Sequence, residues 1–378
     1  MLTNLRLILV VSGMLILVCS SAQAATALLK IHTKKEIYIG KEIVHNDEQC
    51  WLLERDGKMK SFSFDAVTGF KRIAKTFKPY SAAEMRSHLR LELGKEFEIV
   101  GTTHYLVCTA PGYGKKYGKL FEQLYREMHV YFSTRGFEVE PLEFPLVAII
   151  FPDHTQFVKY AHAEGITHTR GLAGYYQMKT NRIALFDPAT SSQSAEIDLP
   201  VSFTNSSFAK AGELTSLQDT IIHEATHQVA FNLGLHSRIA ETPRWIVEGL
   251  ATVFEHPESR SASKSGSASS RINRERFVWF GNYVKQRRYN NSLEKFISSD
   301  RVFQTQTLDA YSEAWALSFF LMETRSSEYA KYLKRVAGRP LLGKYSPQQR
   351  LNDFHDSFGT RGKMKMFEAE YLRFIKGL

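Results

Sequence analysis

Two histidines four residues apart, His223 and His227, stand in the stretch TIIHEATHQVAFNLG (220–234), with Glu224 directly after the first. On an α-helix, positions i and i+4 lie one turn apart on the same face. The two imidazoles can therefore meet one metal ion at the roughly 2.0–2.1 Å that zinc requires. Glu224 falls on the flank of that ion, where a carboxylate can take a proton from a metal-activated water. Ile221, Ile222, Ala225, Val229 and Ala230 supply an apolar circumference, so the helix is expected to lie inside the protein as a rigid platform. The same residues also fit a core helix whose histidines only make hydrogen bonds, and a short motif does not separate the two.

A catalytic zinc needs a third protein ligand and one open position. A metzincin continuation would put Gly at 230 and His at 233, and this chain has Ala230 and Leu233. His236 lies past Gly234, which is positioned to end the helix. Ser216 to Asp219 has the spacing of a capping box at its start, with Asp in place of Glu or Gln. The next helix carries a better candidate. Thr242 suits its N-cap, Pro243 its first helical position and Pro257 its stop, with RWIVEGLATVFEH between them. Glu248 sits there among almost wholly apolar neighbours. A carboxylate in such a setting needs a cationic partner, and a metal ion held by the two histidines would be one if the helices pack antiparallel.

With HEATH at 223–227 followed by WIVEGLATVFE at 245–255, the chain resembles the gluzincin group of zinc metallopeptidases. It is most similar to secreted bacterial peptidase-like proteins with a HEATHQ…W-x-x-EGLA pattern. The motif covers about residues 215–256, and a looser likeness in element order runs from about 97 to 340. The resemblance implies His223, His227 and Glu248 as ligands of one Zn²⁺ per chain and Glu224 as general base. It implies a tyrosine that holds the oxyanion, Tyr311 in AYSEAWALSFFL, and an edge strand that pairs with extended peptide, AGYYQ, with Gly174, Tyr175 and Tyr176 touching substrate. Members of the group carry an acidic residue shortly after the glutamate ligand to hold the first histidine. Here that turn offers Ala251 and Thr252, with Glu255 one turn further, so Thr252 or Glu255 is the candidate. There is no G-x-M-E-N motif, and N-terminal trimming is not implied.

The elements that must position these residues read as an α+β chain. Residues 28–75 alternate apolar and polar around the turn signal Asp56-Gly57 and predict a small β-rich module, bounded at 25–80. EFEIVGTTHYLVCT (96–109) predicts two short strands, KKYGKLFEQLYREMHVYFSTR a helix with Leu120, Phe121, Leu124, Met128 and Phe132 on one face, and FPLVAIIF a buried strand. GLAGYYQMKTNRIALFD predicts two strands turning near Lys179 to Asn181. The polar stretch from Pro188 to Gly212 and the Ser-rich stretch 258–272 read as loops, the second a mobile one. From about 273 the chain reads as helical. A zincin-like domain, small mixed sheet plus HExxH helix plus helical C-terminal part, is thus expected over 96–378.

The chain has 378 residues and a formal net charge of +10, but its Lys and Arg are dispersed and no nucleic-acid motif accompanies them. Nucleic acid is therefore not an expected partner; a peptide or protein is. MLTNLRLILVVSGMLILVCSSAQA reads as a signal peptide with Arg6, an apolar stretch from Leu7 to Val18 and an Ala22-Gln23-Ala24 cleavage site, giving a mature start near Ala25. The apolar run falls short of the roughly 20 residues of a bilayer span, so a secreted or periplasmic protein without stable membrane insertion is expected. Val18 argues against Cys19 as a lipoprotein cysteine. Cleavage leaves Cys50 and Cys108, which in an oxidising compartment are expected to bond. The leading expectation is a zinc-dependent peptidase, of the endopeptidase kind. Its rival is a weakly active or inactive zinc-containing envelope binding or scaffold protein.

Overall fold

The computed structural model describes residues 27–187, 217–261 and 266–378. The signal-like segment with Cys19, the stretch from Pro188 to Ser216 and the centre of the Ser-rich loop lie outside the described residues. Two compact units divide the chain, one ending at Leu89 and including 179–181, the other comprising Arg90–Met178 and Arg182–Leu378.

In the first unit, Leu28–Thr33 (β1), Ile37–His45 (β2), Gln49–Glu54 (β3), Met59–Ser63 (β4) and Val67–Ala74 (β5) form a sheet in the order β4-β3-β2-β1-β5. Every neighbouring pair is antiparallel. Because side chains alternate across a strand, Leu29, Ile31, Cys50, Leu52 and Phe62 gather into one core on one face. Ala82–Leu93 (α1) follows, a helix the sequence pattern left unassigned. Its signal is nevertheless present: Ser81 and Glu84 form a capping box, with Glu84 N–H donating to Ser81 Oγ at 3.3 Å and Ser81 N–H to Glu84 Oε2 at 2.8 Å.

The second unit is built on Glu98–Gly101 (β6), Tyr105–Thr109 (β7), Leu146–Phe151 (β8), Gly174–Gln177 (β9) and Arg182–Phe186 (β10), ordered β6-β7-β8-β10-β9. The three central strands are parallel, and β6 and β9 pair antiparallel at the two edges. Parallel neighbours need crossovers, which Gly114–Ser133 (α2) and the unforeseen His154–Ala163 (α3) supply. The apolar run of β8 is buried along its whole length, as a central parallel strand requires.

Among the described residues, nine further helices complete the unit: Leu217–Asn232 (α4), Arg244–Phe254 (α5), Arg274–Gln286 (α6), Leu293–Ser298 (α7), Val302–Thr305 (α8), Thr307–Thr324 (α9), Ser326–Ala337 (α10), Pro347–Phe358 (α11) and Met364–Lys376 (α12). The chain is mixed α+β, with a β-rich N-terminal part and a helical C-terminal part. Among the described residues no helix is long and apolar enough to cross a membrane.

Three details differ from the sequence expectation. Cys50 and Cys108 are not bonded to each other. Each is buried on its own strand, β3 in one sheet and β7 in the other, and burial pushes the Cys108 thiol up to about 12. Second, Pro243 is the N-cap of α5 rather than its first residue. Thr242 gives no capping bond; Asp300 Oδ1, from a distant turn, accepts the Arg244 N–H at 2.9 Å. Third, the flanks of the Ser-rich loop are anchored. Short 3-10 turns at Pro257–Arg260 and Ala268–Arg271 are tied by Ser259 Oγ donating to Arg271 O at 2.9 Å and by an Arg271–Glu323 ion pair at 2.9 Å.

Candidate metal centre

Helix α4 carries the histidines because both sides of it are packed. Ile221, Ile222, Ala225, Val229 and Ala230 are buried, and Gln228 Nε2 donates to Val147 O of β8 at 3.1 Å. The helix ends where Gly234 takes a positive φ of 79°, which costs a glycine no Cβ clash. Helix α5 lies against it and buries Trp245, Ile246, Leu250 and Phe254. The close neighbour of α5 on its other side is α9. At Gly249 a Cβ would fall 2.2 Å from Ser318 Oγ and 2.5 Å from Ala314 O, so only glycine permits that approach.

The result is a cluster of three donors within 4.8 Å of one another, from His223, His227 and Glu248, and it could hold a metal ion. His223 Nε2 and His227 Nε2 stand 3.1 Å apart, and Glu248 Oε2 lies 3.4 and 3.6 Å from them. A tetrahedral ion with bonds of roughly 2.0–2.1 Å spaces its donors about 3.3 Å apart, so the triangle has the size of one tetrahedral face. Glu248 Oε2 is a buried carboxylate oxygen without a hydrogen-bond partner among the described residues. Such an atom is costly to desolvate, and a cation at the centre of the triangle would compensate it. On chemistry and spacing alike, the residues fit a divalent metal.

The surrounding groups orient this set. His223 Nδ1 lies 2.8 Å from Glu255 Oε1, which assigns the ring proton to Nδ1 and leaves the Nε2 lone pair facing the cluster. Glu255 itself is held by Asn273 Nδ2 at 2.5 Å and faces the buried Arg276 at 3.7 Å. Burial alone would raise the Glu255 pKa, but Arg276, His223 and Asn273 hold it below the usual carboxylate range. Of Thr252 and Glu255, it is therefore Glu255 that touches the histidine. Thr252 Oγ1 instead donates within its own helix, to Glu248 O at 2.8 Å.

Burial opposes charge on Glu248 too, yet the two imidazoles hold its carboxyl well below the usual range. His223, pulled down by burial but pushed further up by Glu248 and Glu255, rises to about 10. Burial raises the Glu224 pKa, partly offset by the histidines. Glu224 Oε2 accepts the backbone N–H of Tyr176 at 2.8 Å, so the carboxylate is tied to edge strand β9. His236, whose ring lies 5.2 Å from Phe231, is driven by burial down to about 3 and stands outside the metal-sized cluster.

The cleft over the cluster has a volume of about 1710 Å³ and is lined by Gly174, Tyr175, Tyr176, Glu224, Arg244 and Tyr311 among others. It thus brings the catalytic, metal-ligating and substrate-contact candidates together. Tyr311 is buried near the start of α9, 3.4 Å from Arg244 Nη2, and Arg244 Nε lies 3.4 Å from Glu248 Oε1. Tyr175 OH donates to Glu164 Oε2 at 2.9 Å, and the Tyr176 ring stacks on Phe231 at 5.7 Å. Arg244 went unnoticed in the sequence, although its position four residues before Glu248 puts the two side chains on one helix face.

No curated protein matches the chain. A family model described as a protein of unknown function (DUF1570) matches residues 218–342, the stretch that carries His223, Glu224, His227, Glu248, Glu255 and Tyr311.

Proposed function

We propose that the chain is a zinc-dependent peptidase of the gluzincin kind, with a zincin-like second unit and His223, His227 and Glu248 as the zinc ligands. The observation that carries this reading is the tetrahedral-sized triangle of donors with Glu224 beside it in one cleft. When bound, zinc supplies Lewis acidity and lowers the pKa of a coordinated water to about 7.

Glu224 is the proton carrier. Its Oε2 is fixed by Tyr176 N–H, leaving Oε1 to take a proton from the attacking water and return it to the leaving amine. Tyr311, with Arg244 at its hydroxyl, is the donor for the developing oxyanion. Strand β9 is an antiparallel edge, the arrangement on which an extended peptide can add as one more strand. The cleft volume exceeds the roughly 300–1,000 Å³ of small-molecule pockets, which favours a polymer lying across it and internal cleavage. The signal-like N-terminus supports a secreted or periplasmic setting.

The test is metal analysis joined to turnover. Purified protein should hold one zinc per chain and degrade an unstructured protein. Glu224→Gln should keep the zinc and lose activity by about 10²–10⁴-fold. Zinc binding with no turnover in the parent protein would favour the rival reading of an envelope binding or scaffold protein. Full activity in Glu224→Gln would refute the assigned base.

A further inference from the structure

Arg244 is the first residue of α5, and its side chain enters the cleft four positions from the ligand Glu248. Its backbone is pinned by Asp300, and its guanidinium packs near the Phe303 ring, 5.1 Å from the centroid, and the Tyr311 ring at 5.9 Å. Its polar contacts are weak. Nε lies 3.4 Å from Glu248 Oε1 and Nη2 lies 3.4 Å from Tyr311 OH, both beyond the 2.7–3.2 Å of a good N–H···O bond.

Other arginines of this unit are satisfied differently. Arg260 reaches Glu127 at 2.7 Å, Arg271 reaches Glu323 at 2.9 Å, and Arg288 reaches Glu313 and Glu368 at 2.7 and 2.6 Å. Arg238, also in the cleft, spends Nε and Nη2 on Met178 O at 2.8 and 2.6 Å. Arg276 is fully buried behind Glu255. Arg244 keeps 44% of its side chain exposed, and its ion pair with Glu248, 3.4 Å from Nε to Oε1, is longer than the carboxylate contacts of Arg260, Arg271 and Arg288. A guanidinium offers five donors in a planar fork that matches a carboxylate two bonds at a time. Glu248, which meets the guanidinium through Oε1, turns Oε2 toward the histidines, so that carboxylate cannot fill the fork.

We propose that the Arg244 fork is a specificity subsite that binds a substrate carboxylate close to the scissile bond. Contact with Glu248 and Tyr311, the groups at the proposed reaction centre, keeps this subsite adjacent to that bond. The carboxylate comes from either of two sources, a free peptide C-terminus or an acidic side chain. The first makes the enzyme trim C-termini, and the second makes it cut beside Asp or Glu. This inference rests on the peptidase reading above.

The test uses the full chain, zinc-loaded, carrying Glu224→Gln so that binding is read without turnover. Calorimetry measures four N-acetylated pentapeptides of one apolar core: free acid, C-terminal amide, amide with one Glu, and amide with Gln at the same place. One carboxylate-bearing peptide should bind about 10- to 100-fold more tightly than its neutral partner, as expected of a charge-assisted bidentate pair. Which one does so names the source. Adding Arg244→Gln should erase that preference, so that acidic and neutral peptides bind alike at equal zinc loading; Arg244→Lys should restore only part of it. Equal binding of acidic and neutral peptides, or an equal loss of both in Arg244→Gln, overturns the subsite alone. Failure of the zinc-loaded protein to bind any of the four overturns it together with the peptidase reading.

Discussion

Glu255 offers a sharp test of the metal centre because it touches a proposed ligand without being one. Glu255→Gln keeps the side-chain volume and an oxygen for the His223 Nδ1–H bond, 2.8 Å in the structure. What disappears is the negative charge that would make His223 a stronger donor to the proposed metal ion. Loss of such an outer partner typically weakens metal binding 10- to 100-fold, which is about 1.4–2.7 kcal/mol. The charge also faces buried Arg276 at 3.7 Å, but Arg276 keeps Glu275 at 3.7 Å. The loss of metal-free stability should therefore fall below the roughly 3–5 kcal/mol of a fully broken buried pair. Competition with a fluorescent zinc indicator measures the first quantity, and denaturant unfolding in chelator measures the second. Asn273→Ala, which removes the donor 2.5 Å from the other oxygen but leaves the charge, should weaken zinc binding less. A zinc affinity unchanged in folded Glu255→Gln would refute the assignment of Glu255 and weaken the case that His223 binds metal through Nε2.

Three other outcomes are expected. Gly249→Ala should cost about 1–3 kcal/mol or more in denaturant unfolding, and Ser318→Ala should not restore it, because Ala314 O still stands 2.5 Å from the added carbon; full restoration would mean the helix backbones do not meet there. In metal-free protein, His223 is raised from 6.5 to about 10, so its contribution to stability is complete below pH 6.5 and is lost as the pH climbs toward 10. Zinc must displace that proton, so the apparent affinity should grow about tenfold per pH unit between 7 and 9; a flat profile would show His223 already neutral. Cys50 and Cys108 should resist alkylation in the native protein and both react on unfolding without reductant, whereas thiols that stay blocked in the unfolded chain would reveal the bridge that the two sheets do not contain.

The cluster of His223, His227 and Glu248 was legible because each part left a local trace. The i, i+4 histidines sit on a helix whose other residues are apolar, and Glu248 sits in an apolar run that makes a lone carboxylate expensive. Glu255 was narrowed to one of two residues, since a helix turn of sequence cannot say which side chain bends back to an imidazole. What stayed hidden depends on distant chain. Asp300 caps α5 in place of Thr242, and no local pattern around Thr242-Pro243 points to a turn so far downstream. Helix α3 has only Phe157 and Ala161 buried, too few for a clear period, while α1 did advertise itself through Ser81 and Glu84. The disulfide expectation failed for a related reason. Compartment and cysteine count say that two thiols are able to bond, but each is buried in its own sheet, Cys50 on the core face of β3 and Cys108 in β7, a strand buried along its whole length.

The bond from Tyr176 N–H to Glu224 has an evolutionary corollary. It is made by main chain, so every residue type but proline at position 176 can supply it. The aim of the glutamate is thereby insulated from the identity of the side chain that stacks on Phe231. Position 176 is free to vary, or to be redesigned for a different occupant of the cleft, without resetting the carboxylate beside it. Tyr176→Pro is the substitution that severs the two.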